Sequence, residues 1–273
     1  MKESIIELIK KAIAEDIPSK DISSEYLFEN EMSTGQFIAK EAGVISGIDI
    51  CQEVFRQVDD EIFFEVIKDN GSSVEIFDII ATVKGRTKSI LMAERVGLNF
   101  LQRMSGVASL TRKFVEKCQG FNTKILDTRK TTPLLRELEK RAVRDGGGIN
   151  HRMSLSDMVM LKDNHIKAAR SIIQAVDLVR LAVGKAMKIE VEVESKEQFE
   201  EALRSDCDII MLDNMSCEMM SWCVLKNKNK KIIEASGNMS LERIRDVCAT
   251  GVDYISVGKL THSYEALDIS LKF

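Results

Sequence analysis

The chain has 273 residues, 44% apolar and 30% charged, with a formal net charge of -4 at neutral pH. That balance is expected of a soluble globular protein with one large domain or two modest ones. No apolar stretch approaches the roughly 18 residues a membrane span needs, and an acidic total argues against nucleic acid as the main partner. The opening stretch MKESIIELIKKAIAED interleaves Lys and Glu with Ile and Leu, which is the pattern of an amphipathic helix and not of a signal peptide. Strand-like segments follow near 36–40, 62–68 and 79–84, with a helix over 47–58 and a turn signal at Asn70-Gly71. From Ser89 a long helical pattern runs to Cys118, with an interruption expected near Gly106.

Beyond residue 120 the texture changes. Apolar strands are expected at about 124–127, 158–162, 188–194, 208–213, 231–235 and 253–257, with helical patterns between them at 133–144, 168–183, 196–203, 216–226 and 241–249. This alternation implies right-handed βαβ units and a parallel sheet. Six units are two short of a complete (β/α)₈ barrel, so the fold class is α/β with an incomplete parallel barrel. A doubly wound sheet satisfies the same alternation.

Polar or glycine residues sit at the carboxyl end of each of these strands: Asp127 with Arg129 and Lys130, Lys162 with Asp163, Glu192 and Glu194, Asp213, Ser236 with Gly237, and Gly258. In a parallel barrel these ends share one rim, where substrate sites are built. Between Arg129 and Arg152 lie seven Lys/Arg against three acids, a basic concentration in an acidic chain. Arg129, Lys130 and Arg152 occupy loop ends, whereas Arg136, Lys140, Arg141 and Arg144 read as the solvated face of a helix opened by Thr131-Thr132-Pro133. Two cations about 5 Å apart repel by roughly 3 kcal/mol at an effective dielectric near 20, so converging loop-end cations call for an anion between them.

The late glycines and Ser236 suit the close approach of a phosphate, while Gly146, Gly147 and Gly148 read as a helix C-cap and reversal. Among the three histidines no metal-binding spacing occurs; His151 reads as a partner of an anion pocket and His262 as local structure. Glu192 and Asp213 suit Mg²⁺, met through water, or sugar hydroxyls. The six cysteines form no CxxC pair and read as reduced thiols of a cytoplasmic protein.

The strings ERVGLNFLQRMSG (94–106), DTRKTTP (127–133), GGGINHR (146–152), LKDNHI (161–166), IEVEVE (189–194), IIMLDN (209–214), EASGN (234–238) and GVDYISVGKLTHS (251–263) together resemble quinolinate phosphoribosyltransferase. The likeness is dense from about residue 85 to the end and looser before it. It implies an N-terminal α/β sandwich-like domain over 1–105, joined by the tail 265–273, and an incomplete barrel over 106–264. It also implies a homodimer, or a larger assembly such as a hexamer, with each site completed by a neighbouring subunit. The implied reaction joins quinolinate to 5-phosphoribosyl-1-pyrophosphate with Mg²⁺, giving nicotinate mononucleotide, pyrophosphate and CO₂ in NAD synthesis.

Carried over by position, the resemblance assigns the quinolinate carboxylates to Arg129, His151 and Arg152, with Lys130 beside them and Arg95 reaching in from the neighbour. Lys162 is expected to bridge both substrates, and Lys130, Lys162, Glu192 and Asp213 to carry the chemistry. Asp163, Glu192, Asp213, Ser236, Gly237 and Gly258 are expected on the phosphoribosyl pyrophosphate side, with Glu192 and Asp213 meeting Mg²⁺. Asn238 stands where a second glycine is usual in the family. Alternatives are a related phosphoribosyltransferase for another base, a barrel lyase using Lys130 or Lys162 as a Schiff base, and a non-catalytic anion binder.

Overall fold

The computed structural model describes residues 1–273, which divide into two compact units. The first comprises Met1–Leu110, Asp145–Gly147 and Tyr264–Phe273, and the second Thr111–Arg144 and Gly148–Ser263.

The first unit begins with α1 (Glu3–Asp16), α2 (Ile22–Leu27), β1 (Met32–Ala39), β2 (Gly43–Val44), α3 (Ile48–Val58), β3 (Phe63–Val66), β4 (Ser73–Val74), β5 (Ile79–Arg86) and α4 (Thr87–Lys117). α1 turns Ile5 and Ile9 into the core. α3 starts from Gly47, whose φ of 88° is open to glycine, and the Asn70 side-chain oxygen accepts from the backbone N–H of Gly47 and Ile48. The turn signal at Asn70-Gly71 therefore also caps a helix more than twenty residues upstream in sequence. Phe37, Phe55 and Phe64 pack with ring centroids 5.4–5.7 Å apart at the centre of this unit.

α4 is one continuous helix of 31 residues, so the interruption expected near Gly106 is absent. Gly106 is there for a different reason: a Cβ on it would lie 2.1 Å from the carbonyl oxygen of Glu265. Gly97 likewise lets the helix close onto α3, where a Cβ would meet Phe55 at 2.9 Å and the Cys51 sulfur at 3.0 Å.

The second unit contains β6 (Lys124–Leu126), α5 (Arg136–Asp145), β7 (Val159–Leu161), α6 (Asp163–Ala169), α7 (Ile172–Val183), β8 (Ile189–Val193), α8 (Lys196–Arg204), β9 (Ile209–Asp213), α9 (Cys217–Asn227), β10 (Ile232–Ser236), α10 (Leu241–Ala249), β11 (Tyr254–Ser256) and α11 (Lys259–His262). Its six strands are parallel, in the order β6-β11-β10-β9-β8-β7. The order descends through the chain without reversal, and the last barrel strand pairs with the first. That is a barrel opened along one seam, between β6 and β7, and it has no switch point of the doubly wound kind. Ile149 forms a parallel bridge with Leu126 on the β6 side of that seam.

Ser171, Ser195 and Ser216 cap α7, α8 and α9 by accepting from the N–H three residues on. Two helix expectations are corrected. The pattern over 168–183 is split, because Arg170 takes a left-handed φ of 72° and Ser171 starts a new helix at Ile172. The helix expected from Pro133 starts at Arg136; Leu134 has a φ of 67°, so Thr131-Thr132-Pro133 forms a turn and not a cap. At the far end, Gly147 has a φ of 93° and the Gly148 N–H donates to the Val143 carbonyl at 2.9 Å, as a C-terminal reversal requires.

The chain ends in β12 (Ile269–Lys272), which pairs antiparallel with β1 and completes the first unit's sheet in the order β12-β1-β5-β3. Gln102 on α4 anchors this segment, donating to the Ile269 carbonyl at 2.7 Å while its own carbonyl accepts from Leu267 N–H.

Candidate active site

Side chains along a strand alternate faces, so i and i+2 point the same way. In the barrel this aims Met160 and Lys162, Glu190 and Glu192, Met211 and Asp213, Glu234 and Ser236, and Ser256 inward. Their carboxyl-end members surround a hollow of about 390 Å³, whose walls are completed by Asp127, Thr128, Arg129, Lys130, His151 and Arg152. A second hollow of about 300 Å³ continues along the rim past Asp213, Ser236, Gly237, Asn238, Gly258, Lys259 and His262.

The seam between β6 and β7 explains how His151 and Arg152 reach this space. Asp127, fully buried just past β6, accepts from the Lys140 ammonium, the Asn150 side-chain amide at 2.5 Å and the His151 backbone N–H at 2.9 Å. Asn150 also donates to the Lys140 carbonyl at 2.7 Å. Lys140 is therefore 2% exposed and not part of a solvated helix face, correcting the reading of its sequence neighbourhood. Burial pushes the Asp127 carboxyl up and the Lys140 ammonium down, each partly offset by the other's charge.

Arg152 donates to the Met158 carbonyl at 3.0 Å and lies 3.5 Å from the Met160 sulfur. Burial, and then the nearby Arg129 guanidinium, depress its pKa; the two forks thus share one space. The Arg129 Nε is buried without a hydrogen-bond partner. Across the hollow Lys162 forms an ion pair with Glu192 at 2.7 Å, and one oxygen each of Glu192, Glu194 and Asp213 falls within a single 4.8 Å cluster. That donor set is all oxygen, which suits a hard divalent cation.

In the second hollow, Gly237 has a φ of 91°, and a Cβ on it would lie 2.2 Å from the Asn214 side-chain oxygen. Asn214 in turn donates to Asp213 at 2.7 Å and accepts from Asn238 at 3.2 Å. Asn238 has a φ of 49°, a left-handed conformation that asparagine tolerates better than most residues.

Of the residues singled out in the sequence, Arg129, Lys130, His151, Arg152, Lys162, Glu192, Asp213 and Ser236 line the first hollow, and Gly237 and Gly258 the second. Asp163 lines neither; it opens α6 and pairs with Lys167 at 3.2 Å. Arg95 belongs to the first unit, exposed on α4. Sequence reasoning passed over Asp127 as a buried anchor, His262 as a rim residue, and the buried carboxylates Glu190 and Glu234. The alternation in Ile189–Val193, IEVEV, carried the signal for Glu190: a charged residue two before Glu192 shares its face.

An incomplete parallel barrel whose carboxyl-end rim sets arginine forks opposite a carboxylate cluster defines an α/β-barrel enzyme for anionic substrates. Residues 21–105 match the quinolinate phosphoribosyl transferase N-terminal domain, and residues 107–272 match its C-terminal domain. The chain belongs to the quinolinate phosphoribosyltransferase family. It is 42% identical to a probable nicotinate-nucleotide pyrophosphorylase [carboxylating] of Bacillus subtilis, over 97% of this chain and 91% of the relative. It is 39% identical to a mitochondrial quinolinate phosphoribosyltransferase [decarboxylating] of Nicotiana tabacum, over 97% and 81%. The solved nicotinate-nucleotide pyrophosphorylase of Francisella tularensis superposes with a TM-score of 0.96 at 38% identity, covering 99% of this chain and 96% of that one.

Proposed function

We propose that the barrel mouth of this phosphoribosyltransferase itself joins quinolinate to 5-phosphoribosyl-1-pyrophosphate and releases nicotinate mononucleotide, pyrophosphate and CO₂. The observation that carries this reading is one hollow holding Arg129, Arg152 and Lys162 against Glu192 and Asp213. Quinolinate brings two carboxylates, which planar guanidinium forks bind in paired hydrogen bonds. The partnerless Arg129 Nε gives that fork a donor in need of an acceptor.

Arg129, His151 and Arg152 hold the diacid, with Lys130 at its edge. Glu192 and Asp213 flank the ribose, where their negative charge stabilises the cation that develops as pyrophosphate departs. Lys162, paired with Glu192 before substrate arrives, exchanges that partner for substrate anions. Ser236, Gly237 and Gly258, which line the second hollow, hold the 5-phosphate through the loops that carry them. Glu192 and Asp213 would hold Mg²⁺, directly or through water, and the ion would supply neutralising charge for the pyrophosphate. Loss of CO₂ leaves the bonding pair on the ring carbon, where the adjacent pyridinium nitrogen and the surrounding cations stabilise it until a proton from solvent completes the C–H bond. No side chain bonds covalently to substrate. Borohydride trapping of a lysine adduct would contradict that last point.

Arg95, exposed on α4, is available to a second copy of the chain, and we assign the working unit as a homodimer with a shared site. Six cysteines without a disulfide support a cytoplasmic setting. No helix is long and apolar enough to cross a membrane. The deciding experiment supplies phosphoribosyl pyrophosphate and Mg²⁺ with either quinolinate or nicotinate. CO₂ and nicotinate mononucleotide are expected from quinolinate alone; turnover of nicotinate, or binding without turnover, would overturn the reading.

A further inference from the structure

Below the rim, one layer deeper than Glu192 and Ser236, two carboxylates occupy the barrel interior. Glu190 on β8 is 0% exposed and Glu234 on β10 is 1% exposed. They reach toward each other over β9, the strand between them. Each directs one oxygen at the same atom: His151 Nε2 lies 2.9 Å from Glu190 and 3.6 Å from Glu234. The second oxygen of each, Glu190 Oε1 and Glu234 Oε1, is buried without a hydrogen-bond partner.

As a stability feature this arrangement is unfavourable. Burying carboxylates is costly unless charge and hydrogen bonds compensate, and like charges worsen the balance. Burial, followed by the charge of Glu190, pushes the Glu234 carboxyl well above its ordinary range. The nearby Asp127–Lys140 pair is already mutually satisfied, and the Asp127 charge pushes the Glu234 carboxyl up further. Glu190 also favours the charged form of Arg152, opposing the effects of burial and of Arg129. His151 and Arg152, two of the groups assigned to the diacid, therefore rest against the same acidic floor.

We infer that Glu190 and Glu234 are positioning residues that fix the His151 ring with its Nε2–H on the barrel floor, so that its other nitrogen can donate a second N–H to a carboxylate of the pyridine diacid. The acidic floor balances the charge of the doubly protonated ring. With Glu190 as the ionised member of the pair its oxygens only accept, so the 2.9 Å contact takes its hydrogen from Nε2 and sets the ring's orientation. The backbone of His151 is held separately, by Asp127. Glu190 and Glu234 thus control the ring while the clasp at Asp127 controls the chain. The inference rests on the assignment of this hollow to the diacid.

The test is a double-mutant cycle between Glu190→Gln and His151→Ala, with Glu234→Gln as a second probe of the floor. Glu190→Gln is expected to raise the quinolinate KM about tenfold while the KM for phosphoribosyl pyrophosphate stays within about twofold, since a small misplacement of a binding group is costly. Its melting temperature should equal or exceed that of the parent, because a buried charge has been neutralised at nearly constant shape. In the His151→Ala background the same substitution should add less than about twofold, as coupled residues do. An undiminished effect in that background, or an unchanged quinolinate KM in both Gln variants while His151→Ala raises it, would overturn the inference. If His151→Ala itself leaves the quinolinate KM unchanged, the assignment of the hollow to the diacid fails instead.

Discussion

The carboxylate of Asp127 and the ammonium of Lys140 meet in the barrel wall, at 0% and 2% exposure, directly beneath the segment that carries His151 and Arg152. Asn150 and the His151 backbone N–H close the cluster, so a single buried ion pair sets where the loop crosses the open seam. Lys140→Met leaves Asp127 charged and uncompensated in the interior, at a cost of about 3–5 kcal/mol. Denaturant unfolding should show that loss, and the double variant Asp127→Asn/Lys140→Met should recover most of it. A double variant no more stable than Lys140→Met alone would mean that the pair's charge is not what matters.

Arg152 is anchored by the Met158 carbonyl and feels the charge of Arg129 in the hollow proposed for the diacid. Arg152→Ala should weaken quinolinate binding by about 2–3 kcal/mol, the worth of a hydrogen-bonded charge pair in a desolvated site. Phosphoribosyl pyrophosphate binding should change far less. Titration calorimetry giving equal losses for both substrates would sink the assignment of Arg152 to quinolinate.

Gly237 combines a φ of 91° with a Cβ position only 2.2 Å from the Asn214 side-chain oxygen. Gly237→Ala must displace Asn214, which is hydrogen-bonded to Asp213. The expected result is a KM for phosphoribosyl pyrophosphate raised by about tenfold or more with the quinolinate KM little changed, as befits a shifted binding loop. Asn238→Gly should leave both within about threefold, since glycine accepts the left-handed backbone without strain. Kinetics with each substrate varied in turn would show whether the two loops behave so differently.

In the first unit, the Arg86 guanidinium lies 2.9 Å from Asp59, whose carboxyl also accepts from the Glu61 N–H, and together these hold Asp59 below the usual aspartate range. A depressed folded-state pKa contributes stability that is present above the unfolded value and lost as pH falls through the folded one. Asp59→Asn should therefore cost about 1–2 kcal/mol above roughly pH 5, and the difference from the parent should shrink as the pH falls below the ordinary aspartate value near 4. Urea midpoints measured across that range would contradict this if the gap stayed constant.

Much of the architecture could be read from local patterns. Six apolar strands separated by amphipathic helices are set by the 2.0 and 3.6 residue periods, and the barrel appears where that alternation placed it. The serines ahead of α7, α8 and α9 likewise act through neighbours three residues away. Errors arose where distant residues intervened. Gly106 looked like a helix break, because its reason is the Glu265 carbonyl, some 160 positions along the chain. Lys140 looked like one more surface cation of a basic helix, because Asp127 lies 13 positions earlier on a different element.

The candidate site divides in the same way. Residue type and position at the strand ends marked Arg129, Lys162, Glu192, Asp213 and Ser236, since the end of a parallel barrel strand is a local property with a shared destination. Which way the barrel opens, how the 149–152 segment lies along β6, and the meeting of Glu190 and Glu234 at one imidazole nitrogen are not properties of any short stretch. They follow from strands separated by tens of residues curving around a common axis, where burial and long-range charge, and not chain neighbours, fix each group's position.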